Sequence, residues 1–129
     1  MSVKIALAGV SGRMGRALLE AVAADPPCAL CAAIDRPGSP LAGQGAGAAW
    51  GGASNVRISD QPAVALQGAQ ALIDFTRPEA TAGYLDACVA AKVPLVIGTT
   101  GFDDAGKAHI AAAAQRIPIV FAPNMSVGV

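Results

Sequence analysis

The sequence predicts a doubly wound α/β domain, a parallel sheet with helices on both faces. The near-continuous apolar runs Leu72-Ile-Asp-Phe75, Pro94-Leu-Val-Ile97 and Pro118-Ile-Val-Phe121 have the composition of strands buried on both sides. Such runs alternate along the chain with alanine-rich stretches of helical length, the order that builds parallel crossovers. The first run, ending at Gly9, breaks at spaced glycines (Gly9, Gly12 and Gly15) before helical spacing begins.

Taken in order, a strand is expected over 3–9, a helix over 14–24 and a second strand over 29–34. Residues 36–54 are rich in Gly, Ala, Ser and Pro without periodicity and read as a long surface loop. A weak strand near 56–58 and a short helix near 62–66 follow. Beyond them come strands over 71–75, 95–98 and 118–122, separated by helices over 79–91 and 104–115. Thr76-Arg-Pro-Glu79 has the form of a capping box, with Thr76 at the N-cap and Pro just inside. Asp103 is placed to cap the next helix. No internal repeat or linker divides residues 1–129, which are expected to form one domain.

Composition narrows the function. The chain of 129 residues is 53% hydrophobic but only 4% aromatic, with formal net charge zero and scattered basic residues. That leaves no electrostatic footprint for nucleic acid or acidic membranes. No apolar stretch approaches the ~20 residues of a membrane span, and only Lys4 precedes the break at Gly9, too little for an export signal. A cytoplasmic protein with reduced thiols is expected. Cys28 and Cys31 make a nominal C-x-x-C, but strand residues three apart face opposite sides; they read as buried thiols, and no metal site is expected. His109, the only histidine, reads as an exposed surface residue with nothing nearby to orient it.

The glycine turn is where chemistry enters. Gly9 can make the tight turn, Gly12 admits close backbone approach and Gly15 lets the helix lie on the sheet. The helix N-terminus then faces bound phosphate. Asp35 stands at the end of the second predicted strand, where a carboxylate accepts hydrogen bonds from an adenosine ribose. Arg36 follows, a cation suited to a 2′-phosphate; a charge-assisted hydrogen bond from it is worth about 1.5–3 kcal/mol. Use of either NADH or NADPH is expected on a Rossmann-type domain of this kind. Arg13 is a second candidate for phosphate contact. Two more strand ends, Gly98-Thr-Thr-Gly-Phe102 and Ala122-Pro-Asn-Met-Ser126, reach the same edge.

These residues together resemble the N-terminal domain of the dihydrodipicolinate reductases of bacterial lysine and diaminopimelate synthesis. The resemblance rests on Ala8-Gly-Val-Ser-Gly-Arg-Met-Gly15, Asp35-Arg36, Asp74-Phe-Thr-Arg-Pro78, Val96-Ile-Gly-Thr-Thr-Gly-Phe102 and Ala122-Pro-Asn-Met-Ser-Val-Gly128. It implies that Gly9, Val10, Ser11, Gly12, Arg13 and Met14 wrap the pyrophosphate and that Asp35 and Arg36 hold the adenosine ribose and any 2′-phosphate. Gly98, Thr99 and Thr100 would line the nicotinamide side with Ala122, Pro123, Asn124 and Met125, and Phe75, Thr76 and Arg77 would lie beside the cofactor. Asp35 stands where many members carry Glu.

The family reduces a cyclic unsaturated dicarboxylate with hydride from NADH or NADPH. In it, a second domain with a His-His and Lys motif handles the substrate, and members associate as homotetramers largely through that domain. Residues 1–129 contain no His-His pair. The expectation is therefore an NAD(P)H-dependent oxidoreductase in its full-length form, represented here by its nucleotide half without the catalytic residues, so that this chain binds cofactor without turnover. A stand-alone NAD(H)-sensing module is the alternative from another class. A semialdehyde or homoserine dehydrogenase shares the first glycine motif but does not account for 98–102 or 124–128.

Overall fold

The computed structural model describes residues 3–10, 13–24, 28–35, 39–40, 42–45, 56–99 and 101–121. Six strands form one sheet: β1 (Val3–Ala8), β2 (Cys28–Ile34), β3 (Ile58–Ser59), β4 (Ala71–Asp74), β5 (Leu95–Ile97) and β6 (Ile119–Phe121). Their order across the sheet is β3-β2-β1-β4-β5-β6, and every pairing is parallel. The helices described are α1 (Arg13–Ala24), α2 (Pro62–Ala65), α3 (Pro78–Ala91) and α4 (Asp104–Ala114). This is the predicted doubly wound architecture, with element ends within about two residues of expectation, the usual scatter of such boundaries.

Alternation along the strands divides the core in two. Ile5 and Leu7 point to one face and pack with Leu19 and Val22 of α1. Ala6 and Ala8 point to the other, where Leu72, Leu95 and Ile97 meet Tyr84, Leu85 and Cys88 of α3 and Ile110 and Ala113 of α4. Small alanines at the centre of β1 let the backbone layers approach, so an alanine-rich sequence fills its core without many aromatics.

A β-bulge interrupts the β1–β2 register. Ile5 pairs with Leu30 but Ala6 pairs with Ala32, leaving Cys31 as the extra residue. The slip puts Cys31 and Ala32 on the same face, both against the α3 side of the core, because a bulge inserts one residue without advancing the alternation. Cys31 is consequently only partly buried, short of the fully buried thiol expected, while the side chain of Cys28 lies outside the described portion.

The presumed surface loop has a more definite course in its described part. Gly43 N donates to Ile58 O at 2.7 Å and Ile58 N to Gln44 O at 2.7 Å. The Arg57 guanidinium donates to Gly43 O at 2.8 Å, and an isolated antiparallel bridge joins Gly45 to Arg57. Residues 42–45 thus lie along the edge strand β3 and cover it, and Ser39 is buried. Polar turn composition concealed a segment whose backbone groups are satisfied by a strand remote in sequence. On the α1 side of the sheet, exposure rises outward along one registered row, Leu7, Ile73, Val96 and Val120, from 0% at Leu7 to 56% at Val120, as the row leaves β1 and β2, on which α1 packs.

Candidate functional site

In an open parallel sheet ligands bind beyond the carboxyl ends of the strands, where the strand order reverses. Here that point lies between β1 and β4, which are adjacent in the sheet although β2 and β3 intervene in the chain. Beyond β1 the chain turns through Gly9, with φ of +84°. The Gly9 amide donates across to Ile34 O at 2.9 Å, so the turn is anchored on the end of β2. A Cβ on Gly9 would stand 2.8 Å from Thr76 Cγ2 and 3.0 Å from Phe75 O. Only glycine gives both the left-handed backbone and the approach of the β1 turn to the β4 turn. Val10 is buried on the α1 side of the core. α1 then begins at Arg13, with its N-terminus at this edge.

Asp35 follows β2 directly and is 4% exposed. Its amide donates to Ser59 O at 2.9 Å, and its Oδ2 accepts a short hydrogen bond from Ser39 Oγ. The carboxylate expected to meet a ribose is thus held from behind by a residue of the loop. Ser39 was not among the residues singled out from sequence; a serine four positions on in a Gly/Pro-rich stretch carries no periodic signal.

The β4 and β5 ends are tied more closely still. Gly98 N donates to Asp74 O at 2.8 Å, and a Cβ on Gly98 would meet the Phe75 ring at 2.1 Å, so the ring lies over the Gly98 backbone. Asp74 is fully buried. Its Oδ1 accepts from Thr76 Oγ1 at 2.5 Å and its Oδ2 from Thr81 Oγ1 at 2.5 Å. Thr99, also buried, accepts from the Thr76 amide at 3.0 Å, and its Oγ1 lies 3.2 Å from that of Thr81. Burial raises the Asp74 pKa above the usual carboxylate value, and the hydroxyls of Thr76, Thr81 and Thr99 and the Thr76 amide work against that rise.

Thr76 is therefore not the helix cap. α3 starts one residue later, with Arg77 at the N-cap in extended conformation and no side-chain cap bond. The Thr76 hydroxyl turns inward to a buried carboxylate, which binds it more strongly than a neutral amide would. Asp103 caps α4 as predicted, its Oδ1 accepting from Gly106 N at 2.8 Å. His109 does have an orienting partner: its Nε2 lies 2.9 Å from Asp86 Oδ1 on α3. The two residues are 23 positions apart, and only helix packing joins them.

Of the residues expected to meet a cofactor, Gly9, Val10, Asp35, Phe75, Thr76, Gly98 and Thr99 come together along one edge. Arg13 and Met14 open α1, but their side chains lie outside the described portion. Ser11, Gly12, Arg36, Thr100, Ala122, Pro123, Asn124 and Met125 lie outside the described residues altogether. Asp74 and Thr81 were missed as members of this edge. The signal for Asp74 was present, a lone carboxylate inside the apolar run Leu72-Ile-Asp-Phe75, which a strand buries only with partners at hand.

A glycine turn at the switch point, a buried carboxylate after β2 and convergent ends of β4 and β5 define a Rossmann-type domain of the dinucleotide-binding class. Comparison with known proteins makes this specific. Residues 3–125 match the family model described as dihydrodipicolinate reductase, N-terminus, and the chain belongs to that family. It is 73% identical over 129 residues to a 4-hydroxy-tetrahydrodipicolinate reductase of Thiobacillus denitrificans, covering 100% of this chain and 48% of that protein. The chain thus spans about half the length of the curated relatives it matches.

Among solved structures it superposes on a dipicolinate-bound dihydrodipicolinate reductase from Paenisporosarcina sp. TG-14 with a TM-score of 0.78 at 23% identity, over 99% of this chain and 49% of that one. GenD2 from gentamicin A biosynthesis, in complex with NAD, gives 0.72 at 19% identity, over 95% and 35%. At these identities the two structures speak to fold. Family membership and relatives named as reductases leave the sensing-module reading without support.

Proposed function

We propose that this edge holds NADH or NADPH and that the chain is the nucleotide-binding half of a 4-hydroxy-tetrahydrodipicolinate reductase. The observation that carries the proposal is the β1–β4 switch point, where Gly9 at φ +84° leaves no room for a side chain against the Phe75–Thr76 turn. The residues present fit such a cofactor. Backbone at 9–10 and the N-terminus of α1 suit a pyrophosphate; Asp35, held by Ser39, suits the diol of a ribose. Arg36 supplies the cation for a 2′-phosphate.

When bound, the nicotinamide supplies the hydride. The chain's own residues bind and orient it. Phe75 lies across Gly98 and closes one side of the edge, while Thr76 and Thr99 fix the two turns that would flank the nicotinamide ribose. Ser11, Gly12, Arg13, Met14, Thr100 and Ala122 to Met125 complete the cradle in this reading. The substrate's carboxylates and the proton donor are assigned to the remainder of the full-length reductase, where tetramer contacts are placed too.

The test is a titration of the 129-residue chain with both reduced nucleotides, followed by nicotinamide fluorescence. Saturable binding of at least one is expected. Arg36→Ala should weaken NADPH about tenfold or more while changing NADH little, as loss of a charge-assisted hydrogen bond requires. Binding of neither nucleotide would overturn the proposal. Robust reduction of substrate by these 129 residues alone would overturn the assignment of chemistry to the remainder.

A further inference from the structure

A carboxylate with 0% exposure calls for an explanation that cofactor contact does not supply, since a fully buried group touches no ligand. Among the described residues the partners of Asp74 are the hydroxyls of Thr76 and Thr81, with the Thr76 amide and the Thr99 hydroxyl close by, and none is a cation. They come from three segments: Thr76 from the turn after β4, Thr81 from α3 and, through Thr81, Thr99 from the end of β5.

An ionised carboxylate only accepts, and Thr76 and Thr81 both donate to Asp74 at 2.5 Å. Thr81 also reaches Thr99 Oγ1 as donor at 3.2 Å, and Thr99 Oγ1 in turn accepts the Thr76 amide at 3.0 Å and donates to Asp74 O at 3.5 Å. The bonds close a ring of the Thr76 amide, Thr99, Thr81 and one oxygen of Asp74, with the Thr76 hydroxyl on the other oxygen. Asp74 accepts from a hydroxyl on each oxygen, whereas an amide at position 74 would turn a donor toward one of them. Since no buried side-chain polar atom among the described residues lacks a partner, the ring is complete, and a satisfied buried network fixes geometry more firmly than its separate bonds.

We propose that Asp74, with Thr81, is a positioning residue for the nicotinamide half of the site, locking the turns at 75–77 and 98–99 to each other without touching the cofactor. The inference rests on the nucleotide-binding reading above and deepens it. The adenosine half depends on Gly9, the start of α1 and Asp35; among the described residues, neither Gly9 nor Asp35 hydrogen-bonds to the ring.

That division gives the test. NADH and ADP, which lacks the nicotinamide and its ribose, are titrated by calorimetry into the unsubstituted chain and into Asp74→Asn, Thr81→Val and Thr81→Ser. Asp74→Asn and Thr81→Val should weaken NADH about tenfold and leave ADP within about twofold, and Thr81→Ser, which restores the hydroxyl, should recover NADH binding. Equal losses for the two ligands would reduce Asp74 and Thr81 to parts of the fold and overturn the inference, as would unchanged NADH binding. If Asp74→Asn does not fold, the Thr81→Val and Thr81→Ser pair decides. Failure of the unsubstituted chain to bind either ligand would instead overturn the nucleotide-binding reading, and the inference with it.

Discussion

Replacing Gly9 by alanine probes the turn on which the site is built. Gly9 sits at φ +84°, and a left-handed backbone costs a residue with a Cβ about 1–2 kcal/mol. The new Cβ would also stand 2.8 Å from Thr76 Cγ2 and 3.0 Å from the Phe75 carbonyl oxygen. That oxygen belongs to backbone between β4 and α3 and cannot swing aside as the end of a side chain can. Overpacking of this kind costs about 1–3 kcal/mol, and the reduced freedom of alanine in the unfolded chain offsets about 0.4–1 kcal/mol. The net loss expected is about 1–4.5 kcal/mol, a fall in Tm of roughly 4–18 °C at about 4 °C per kcal/mol for a domain of this size. Gly68 supplies the control. It has the same φ of +84°, but nothing lies within 4 Å of its Cβ position. Gly68→Ala therefore bears the backbone cost alone, about 1 kcal/mol or less. Thermal unfolding followed by circular dichroism measures both. Equal losses in the two variants would refute the claim that the β1 and β4 turns are in contact at Gly9.

Asp103→Ala removes the bond to Gly106 N and should cost about 1 kcal/mol in urea unfolding; an unchanged midpoint would show the cap to be idle. Because burial raises the Asp74 pKa above 3.8, the native state holds this proton more tightly than the unfolded chain. The contribution of Asp74 to stability is therefore greatest below the unfolded value and is lost as pH rises through the folded one. Relative to the unsubstituted chain, Asp74→Asn should gain in Tm as pH rises above 3.8, and a gap moving the other way would contradict that environment. The Cys88 thiol, pushed up to about 12 by burial first and by nearby Asp74 second, should escape alkylation at about pH 8 until the domain unfolds, and Cys31 should react first. Peptide mass spectrometry separates the two; rapid modification of Cys88 would deny the packing of α3 on the sheet.

Legibility differed between elements for identifiable reasons. Strands β4 and β5 were readable because a strand buried within a sheet is apolar almost throughout; β6 has the same composition, but as the last strand of the sheet it leaves Val120 and Phe121 exposed, against the burial on both faces expected of it. The Asp103 cap was readable because its donor, Gly106, is three residues away. Thr76 met the same local rule and broke it, because Asp74, two residues back, and Thr99, 23 residues on, compete for its groups. The partner of His109 and the seating of residues 42–45 on β3 escaped notice because in each case the binding group arrives from another element. The bulge at Cys31 was invisible for a similar cause: alternation can be read along a strand, but a slip is defined only against its neighbour.

By itself the sequence determined the class of domain, the glycine turn, the carboxylate at Asp35 and the family, since these are written in local spacing, in burial pattern and in short motifs. Tertiary structure alone decided which strand ends meet and what a buried charge is for. β1 lies beside β4 although more than 60 residues separate their starts, and Gly9 becomes obligatory because the Phe75 carbonyl is pressed against it. Asp74 changes from an oddity in an apolar run to the centre of a hydroxyl ring for the same reason. A carboxylate is tolerated in a dry interior only where several donors converge, and that convergence is assembled by packing, not by order along the chain.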